Sequence, residues 1–485
     1  VPEFDLLVIG GGPGGYVAAI RAAQRGLSVG LVDKERPGGV CLNWGCIPTK
    51  AMLRSAEVFQ TVTAAADFGV YADNVRFDFA AMRQRKDGIV KELTDGVAGL
   101  LKANGVSVIE GHARFTGPTS VQVYQAGTSP IFPGGPRYAA APTTTAVREI
   151  TAADVIVATG SVPARLPVPG ADLPGVVTSD GAFGLTEIPG RIVVIGGSAV
   201  GAEWASLFHT FGSEVTVVEM QDRLVPLEDK EIGTALGRSF TKRGITVLTG
   251  STVTGIAEAG DVLRVNVGGP KARELDADVV LVGVGRRPNT AGLGLDTAGI
   301  ATDARGFIPV DEQLRTGVEH VYAIGDVTGK ALLAHVASHQ GLTAADVIAG
   351  YPAHIDYAVI PAATFTHPEI ASVGLTEDAA RAAGHEVITA KFPFAALGRA
   401  KTFGETEGFM KIVAGQRHSE VLGVHIFGPS ASDLITEGAL AIAIEATLDE
   451  LADTIHAHPT LGEIGMEAAL AGLGLPVHIA PPRKR

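Results

Sequence analysis

Cysteine is scarce: the chain has two, Cys41 and Cys46, among 485 residues. That excludes a small disulfide-stapled scaffold. In a large chain, a close pair reads instead as redox-active or metal-binding. Basic residues are also short, with 39 Lys and Arg against 52 Asp and Glu and a net charge of −13. Such a chain is a poor partner for nucleic acid or an anionic membrane. The only basic cluster, Arg483-Lys484-Arg485, reads as a solvated terminus. No apolar run reaches the ~18 residues of a spanning helix. Val1 opens almost directly into a strand pattern, without a charged leader and apolar core. With no Met at position 1, the start reads as processed or trimmed, and the expected location is cytoplasmic.

What is present is an ordinary globular balance, 46% hydrophobic and 19% charged, over a length suited to about three domains. Glycine is frequent, 62 residues, as tight turns and close backbone approaches require. The strongest signal is an internal repeat. Leu7-Val8-Ile9-Gly10-Gly11-Gly12-Pro13-Gly14-Gly15 returns 186 residues later as Val193-Val194-Ile195-Gly196-Gly197-Ser198-Ala199-Val200-Gly201. At the same offset Ala19 matches Ala205, Gly26 matches Gly212, Val29 matches Val215, and Asp33 matches Glu219.

Each copy reads as strand, glycine turn, helix, strand and acid, the dinucleotide-binding βαβ unit. Gly10 and Gly196 make the sharp turn. Gly12 lets the backbone approach a pyrophosphate, and Gly15 and Gly201 let the helix pack on the strand. The helix N-terminus offers unpaired N–H groups to phosphate. Asp33 and Glu219 each lie 23 positions past the first glycine, where a carboxylate accepts from ribose hydroxyls. The plain alternative is a pair of ordinary turns in an α/β protein. Ser198 replaces the middle glycine of the second copy, and its Cβ is expected to push a pyrophosphate slightly outward. Glu219 favours NAD over NADP, because a carboxylate repels a 2′-phosphate; Arg223 nearby weakens that argument.

The cysteines sit in Gly38-Gly39-Val40-Cys41-Leu42-Asn43-Trp44-Gly45-Cys46-Ile47-Pro48-Thr49-Lys50. On an ideal helix, side chains five positions apart diverge by about 140°, so bridging needs a distorted backbone. Gly45 and Pro48 suit a distorted turn ahead of a helix over 51–59. Cys46 then lies near that helix's N-terminus, where the dipole favours a thiolate. Zinc binding fits poorly, since it uses closer spacing and more ligands; no metal site is expected. Two buried free thiols remain an open reading.

The segment Cys41–Lys50 closely resembles the redox disulfide of the flavin disulfide reductases, which include glutathione and mercuric reductases. The resemblance spans nearly the whole chain. The stretch from Gly11 to Gln24 and the stretch from His456 to Glu463 look particularly like the dihydrolipoamide dehydrogenases. The resemblance implies an α/β protein with two Rossmann-like dinucleotide-binding domains and a C-terminal α+β dimerisation domain. The implied domains are FAD-binding over 1–160 and 285–354, NAD-binding over 161–284, and interface over 355–485.

It implies that the first glycine motif binds FAD and the second NAD. Thr159-Gly160 marks the crossing between domains, Asp326 in Tyr322-Ala323-Ile324-Gly325-Asp326 contacts the ribityl–phosphate side of FAD, and the helix beginning near His335 faces the flavin pyrimidine edge. Gly285 joins the NAD set. Lys50 and Glu203 match an ion pair beside the flavin, although alone they read as a solvated lysine and a first-turn helix acid. Cys41 and Cys46 become a redox disulfide, and His458 with Glu463 the substrate base and its orienting acid, supplied from the neighbouring subunit of a homodimer. Histidine suits that task because free thiols ionise little at neutral pH. Thr460-Leu461-Gly462-Glu463 also reads as a capping box. His456 does not fall at the family's base position.

The implied activity is oxidation of protein-bound dihydrolipoamide with reduction of NAD⁺. The implied partners are lipoyl domains and the acyltransferase core of a 2-oxo-acid dehydrogenase complex. The rivals are an NAD(P)H-dependent reductase of another disulfide, glutathione-like, and an idle structural subunit. The absence of a third cysteine argues against relatives with an extra thiol relay. The Pro-, Gly-, Thr- and Ala-rich stretch between Tyr124 and Val147 is expected as an extended or mobile surface loop.

Overall fold

A computed structural model describes residues 1–125 and 146–480. The chain divides into two compact units. One holds Val1–Arg165, Val177–Ile188 and Gly285–Asp356; the other holds Leu166–Val176, Pro189–Val284 and Tyr357–Arg485. No helix among the described residues is long and apolar enough to cross a membrane.

The first unit is built on parallel strands. Phe4–Ile9 lies between Val29–Asp33 and Ala146–Val157, with Ser107–Glu110 beyond Val29–Asp33. Val321–Ala323 pairs with the C-terminal half of Ala146–Val157, and the hairpin His112–Gly117/Ser120–Tyr124 with its other half. Leu6, Leu7, Val8, Val155, Ile156 and Val157 are fully buried, as a parallel sheet covered on both faces requires. The helices Pro13–Gln24 and Ala334–Ile348 cross where both are glycine. A Cβ on Gly341 would meet the Gly14 carbonyl oxygen at 2.4 Å, so only glycine allows this approach. At their far ends Arg21 and Arg25 share Asp346, at 2.8 and 2.7 Å, and hold its carboxyl down at about 2. The stretch expected as a surface loop falls mostly at 126–145, outside the described residues, as does the tail 483–485. Its flanks pair antiparallel, Tyr124 opposite Ala146.

The second unit repeats the motif. Arg191–Ile195, Glu214–Val218, Thr246–Leu248 and Val279–Val282 form a parallel sheet, followed in space by the antiparallel meander Thr252–Ala259, Val262–Gly268 and Arg273–Ala277. Its C-terminal part is a five-stranded antiparallel sheet from Ala362–Thr364 to Val387–Pro393, packed by the helices Ala431–Ala443, Leu448–Asp453 and Glu463–Gly472. Two βαβ sheets and an α+β part give the expected fold class.

A buried cation ties the five-stranded sheet to the start of the helix Lys230–Arg243. Lys411, 3% exposed, meets Asp229 at 3.0 Å, Glu231 at 3.0 Å and Glu377 at 2.9 Å. Burial opposes the charge on Lys411, but the three carboxylates outweigh it and push its proton affinity up. Burial likewise opposes ionisation of Asp229 and Glu231, and their hydrogen bonds still leave both below their ordinary values. The Lys411 contribution is therefore present below its ordinary value of 10.5 and lost as the pH rises through its raised value. The carboxylate contributions are present above ordinary values of 3.8 and 4.5 and lost on acidification through the depressed ones. Lys411→Met strands the buried Asp229 carboxylate, and two half-exposed ones, without their cation. It is expected to destabilise the chain by about 3–5 kcal/mol, seen as a lower midpoint in urea titration at pH 7. A midpoint equal to the parent's would show the network to be energetically neutral.

Candidate active site

The two glycine turns are near copies in three dimensions. Gly10 and Gly196 have φ of +107° and +100°, a region L side chains rarely adopt. A Cβ on Gly15 would lie 1.8 Å from the Gly10 carbonyl oxygen, and one on Gly201 1.8 Å from that of Gly196. Asp33 accepts the Gly11 N–H at 2.6 Å, and Glu219 accepts the Gly197 N–H at 2.6 Å. Their second oxygens accept from Glu35 and Gln221. Both acids thus hold the turn in shape, a task the sequence pattern did not reveal. Burial pushes the Asp33 carboxyl up to about 6, against the pull of these N–H groups.

Gly12 and Ser198 occupy the same place, each the residue before its helix and each extended, with φ/ψ of −68°/−178° and −79°/−174°. Serine therefore carries no backbone strain there, and its side chain makes no capping bond. Arg223 is engaged by Asp222 at 3.0 Å and by the Pro226 carbonyl at 3.2 Å, which removes two of its donors from any 2′-phosphate. The residues fit two dinucleotides: a Cβ at Gly12 would meet nothing nearer than the Gly39 Cα at 3.9 Å, which leaves room beside the turn. In the first unit, Thr159 Oγ1 is buried without a hydrogen-bond partner, a polar atom suited to a bound group. Asp326 accepts from Ser161, which also accepts from Arg286 Nε at 2.7 Å. Sequence reasoning missed both neighbours. The helix expected near His335 begins at Ala334.

The cysteines lie on two helices, Gly39–Asn43 and Cys46–Thr63. Gly45, with φ/ψ of −135°/−111°, breaks the chain between them. The second helix starts earlier than expected, at Cys46 rather than Ala51, because Pro48 in a first turn forfeits no helical hydrogen bond. Thr49 Oγ1 donates to the Gly45 carbonyl at 2.7 Å, and Asn43 Nδ2 to that of Gly39 at 2.9 Å. These two side chains pin the break. The two thiols are hydrogen-bonded to one another. The Cys46 sulfur, with burial, pushes the Cys41 thiol well up, while the charge of Lys50 opposes that. Two negative charges on the pair are therefore harder to place than one.

In the second unit, His458 Nδ1 lies 2.7 Å from Glu463 Oε1, and the ring is 77% exposed. Glu463 Oε2 accepts the Thr460 N–H at 2.8 Å. The two oxygens thus divide the orienting and capping tasks. The capping box is only half formed, since the Thr460 hydroxyl donates instead to Ala457. Burial pushes the Glu463 carboxyl up, yet the His458 ring, the Thr460 N–H and the charges of His458 and His456 hold it below its ordinary value. With Nδ1–H given to Glu463, Nε2 is the free basic nitrogen. Glu203, 5% exposed, accepts the Phe365 N–H at 2.9 Å. Lys50 belongs to the first unit and Glu203 to the second. Gly285 ends the strand connection at a φ of +108°. No group of residues suited to a metal ion occurs among those described.

Paired dinucleotide turns and a contacting thiol pair define an oxidoreductase that moves electrons between a disulfide and a nucleotide cofactor. The chain belongs to the pyridine nucleotide-disulphide oxidoreductase family, whose model matches residues 4–341; the family's dimerisation domain matches residues 360–469. It is 44% identical over 483 residues to the dihydrolipoyl dehydrogenase of Chlamydia muridarum, covering 99% of each chain. It is 44% identical over 480 residues to one from Bacillus subtilis, covering 98% of each. Among solved structures, LpdA from Mycobacterium tuberculosis superposes with a TM-score of 0.85 at 29% identity, over 96% of this chain and 98% of that one. The HOCl-induced flavoprotein disulfide reductase RclA from Escherichia coli gives a TM-score of 0.83 at 27% identity, over 96% and 99%.

Proposed function

We propose that this chain is a dihydrolipoyl dehydrogenase that oxidises protein-bound dihydrolipoamide to lipoamide and reduces NAD⁺, working as a homodimer in a 2-oxo-acid dehydrogenase complex. The observation that carries this reading is the contact between Cys41 and Cys46 across the Gly45 break. The FAD-binding parts are 1–160 and 285–354, the NAD-binding part 161–284 and the interface part 355–485. A cytoplasmic setting belongs to this reading, since a thiol pair that must cycle suits a reducing compartment.

In the oxidised enzyme Cys41 and Cys46 are joined. His458 Nε2 takes the proton of one substrate thiol. The resulting thiolate attacks Cys41 Sγ, the Cys41–Cys46 bond breaks, and Cys46 leaves as a thiolate. The second substrate thiol attacks the substrate sulfur joined to Cys41, that bond breaks, and the thiol's proton passes to the departing Cys41 sulfur. Lipoamide departs with its disulfide closed, and two electrons remain on the cysteine pair. The turn at Gly10, Gly12 and Gly15, with Asp33, Thr159 and Asp326, would hold FAD, which when bound would supply two-electron chemistry between a dithiol and a nicotinamide. Gly196, Ser198, Gly201 and Glu219 hold the NAD⁺.

The flavin-loaded protein is expected to form NADH rapidly from dihydrolipoamide and NAD⁺, and to consume little NADPH with oxidised glutathione. The reverse pattern, read at 340 nm, would replace this substrate assignment with a glutathione-type one. Silence in both assays would indicate an idle subunit.

A further inference from the structure

Two residues before the expected base stands a second histidine held more tightly than the base itself. His456 Nδ1 lies 2.8 Å from the Thr454 carbonyl oxygen, and Nε2 lies 2.8 Å from Glu437 Oε1. Its side chain is 10% exposed, against 77% for His458. Glu437 comes from the middle of the helix Ala431–Ala443, 19 residues earlier. Its other oxygen rests against the first turn of the helix Glu463–Gly472, where a Cβ on Gly465 would lie 3.0 Å away. The pair thus joins the segment carrying His458 to the helix start carrying Glu463.

Hydrogen-bond accounting gives the pair an electrical role. A neutral imidazole has one N–H and one lone pair. Both ring nitrogens of His456 face acceptors, a carbonyl and a carboxylate. A ring carrying both N–H groups donates to both, and beside an ionised Glu437 the pair then has no net charge. Glu437 faces the ring from one helix, the charge of His456 acts on Glu463 at the start of the next, and Glu463 in turn holds His458.

We propose that His456 and Glu437 are a positioning pair for the His458–Glu463 dyad, fixing the segment that carries the base and keeping the half-buried Glu437 carboxylate from acting on it as a free negative charge. This rests on His458 acting as the base under the proposed function.

The test uses the flavin-loaded dimer with dihydrolipoamide and NAD⁺, comparing the parent with H456Q, E437Q and the double variant across pH 5–9. H456Q leaves Glu437 uncompensated, and a negative charge near His458 favours its protonated form. The midpoint of the acid limb of kcat is expected to rise by about half a pH unit, with kcat at its plateau falling about tenfold and KM for NAD⁺ unchanged. In the double variant the charge is gone, and the midpoint is expected to return to the parent's while the plateau stays low. E437Q keeps an acceptor for the ring and should retain more of the plateau than H456Q. Parental midpoints in all three variants overturn the proposal, whether or not kcat falls, because a purely structural role lowers the plateau alone. If the parent itself does not oxidise dihydrolipoamide, or H458Q retains full activity, the underlying function or base assignment fails instead.

Discussion

Cys46→Ser is expected to lower dihydrolipoamide-driven NADH formation by about three orders of magnitude or more. Serine oxygen cannot close the bond to Cys41, so the enzyme has no disulfide for the substrate thiolate to open, and no leaving thiolate when Cys41 is attacked. The fold should survive. Cys46 is the exposed member of the pair, and the local geometry is held by the Thr49 and Asn43 side chains rather than by its sulfur. The variant should therefore keep its yellow flavin spectrum and thermal midpoint. A thiol count by a chromogenic disulfide reagent provides the second measurement. The parent should show two more reactive thiols after reduction than before, under denaturing conditions, and the variant no change. A variant that formed NADH at the parental rate would remove Cys46 from the reaction.

Removing the base has the second-largest effect. His458→Gln is expected to cut kcat by about 10²–10⁴-fold, the range for loss of a positioned general base. The loss should shrink as the pH approaches the ordinary thiol value near ~8.5, where the substrate supplies its own thiolate. Stability should hardly change, because the ring is mostly exposed and Glu463 keeps its bond to the Thr460 N–H. Glu463→Gln should cost less in rate, since an amide oxygen can still accept from Nδ1–H. It removes the negative partner of a protonated ring, so the acid limb of its kcat profile should move to lower pH. Stopped-flow reduction by dihydrolipoamide, followed from pH 5 to 9, reads both effects. An unchanged rate of reduction in His458→Gln would send the search for the base elsewhere.

The local grammar of this chain was legible because it depends on short-range constraints. A βαβ unit of nearly fixed length carries its acid to the same place after the turn, and so Gly10, Gly15 and Asp33 could be read together with Gly196, Gly201 and Glu219. Positive φ and sub-2 Å clearances at these positions leave no choice but glycine, so the pattern is chemically compulsory. Ser198 shows where the pattern relaxes: its extended backbone permits a side chain. The cysteine pair was legible only through its resemblance to the family's motif, since its spacing alone left the pairing open, and its helix begins at the cysteine itself.

By itself, then, the sequence determined the two nucleotide turns, because backbone sterics over a few residues decide them, whereas the Cys41–Cys46 pair and the His458–Glu463 dyad were readable only through the resemblance to the family. Tertiary structure decided what distant side chains do to one another. It brought Lys411 to Asp229 across 182 positions, set His456 against Glu437, and divided the oxygens of Glu463 between a ring and a backbone N–H. Spacing along the chain carries no such information, since a charge buried by packing takes whichever partner the packed helices and strands put within about 3 Å.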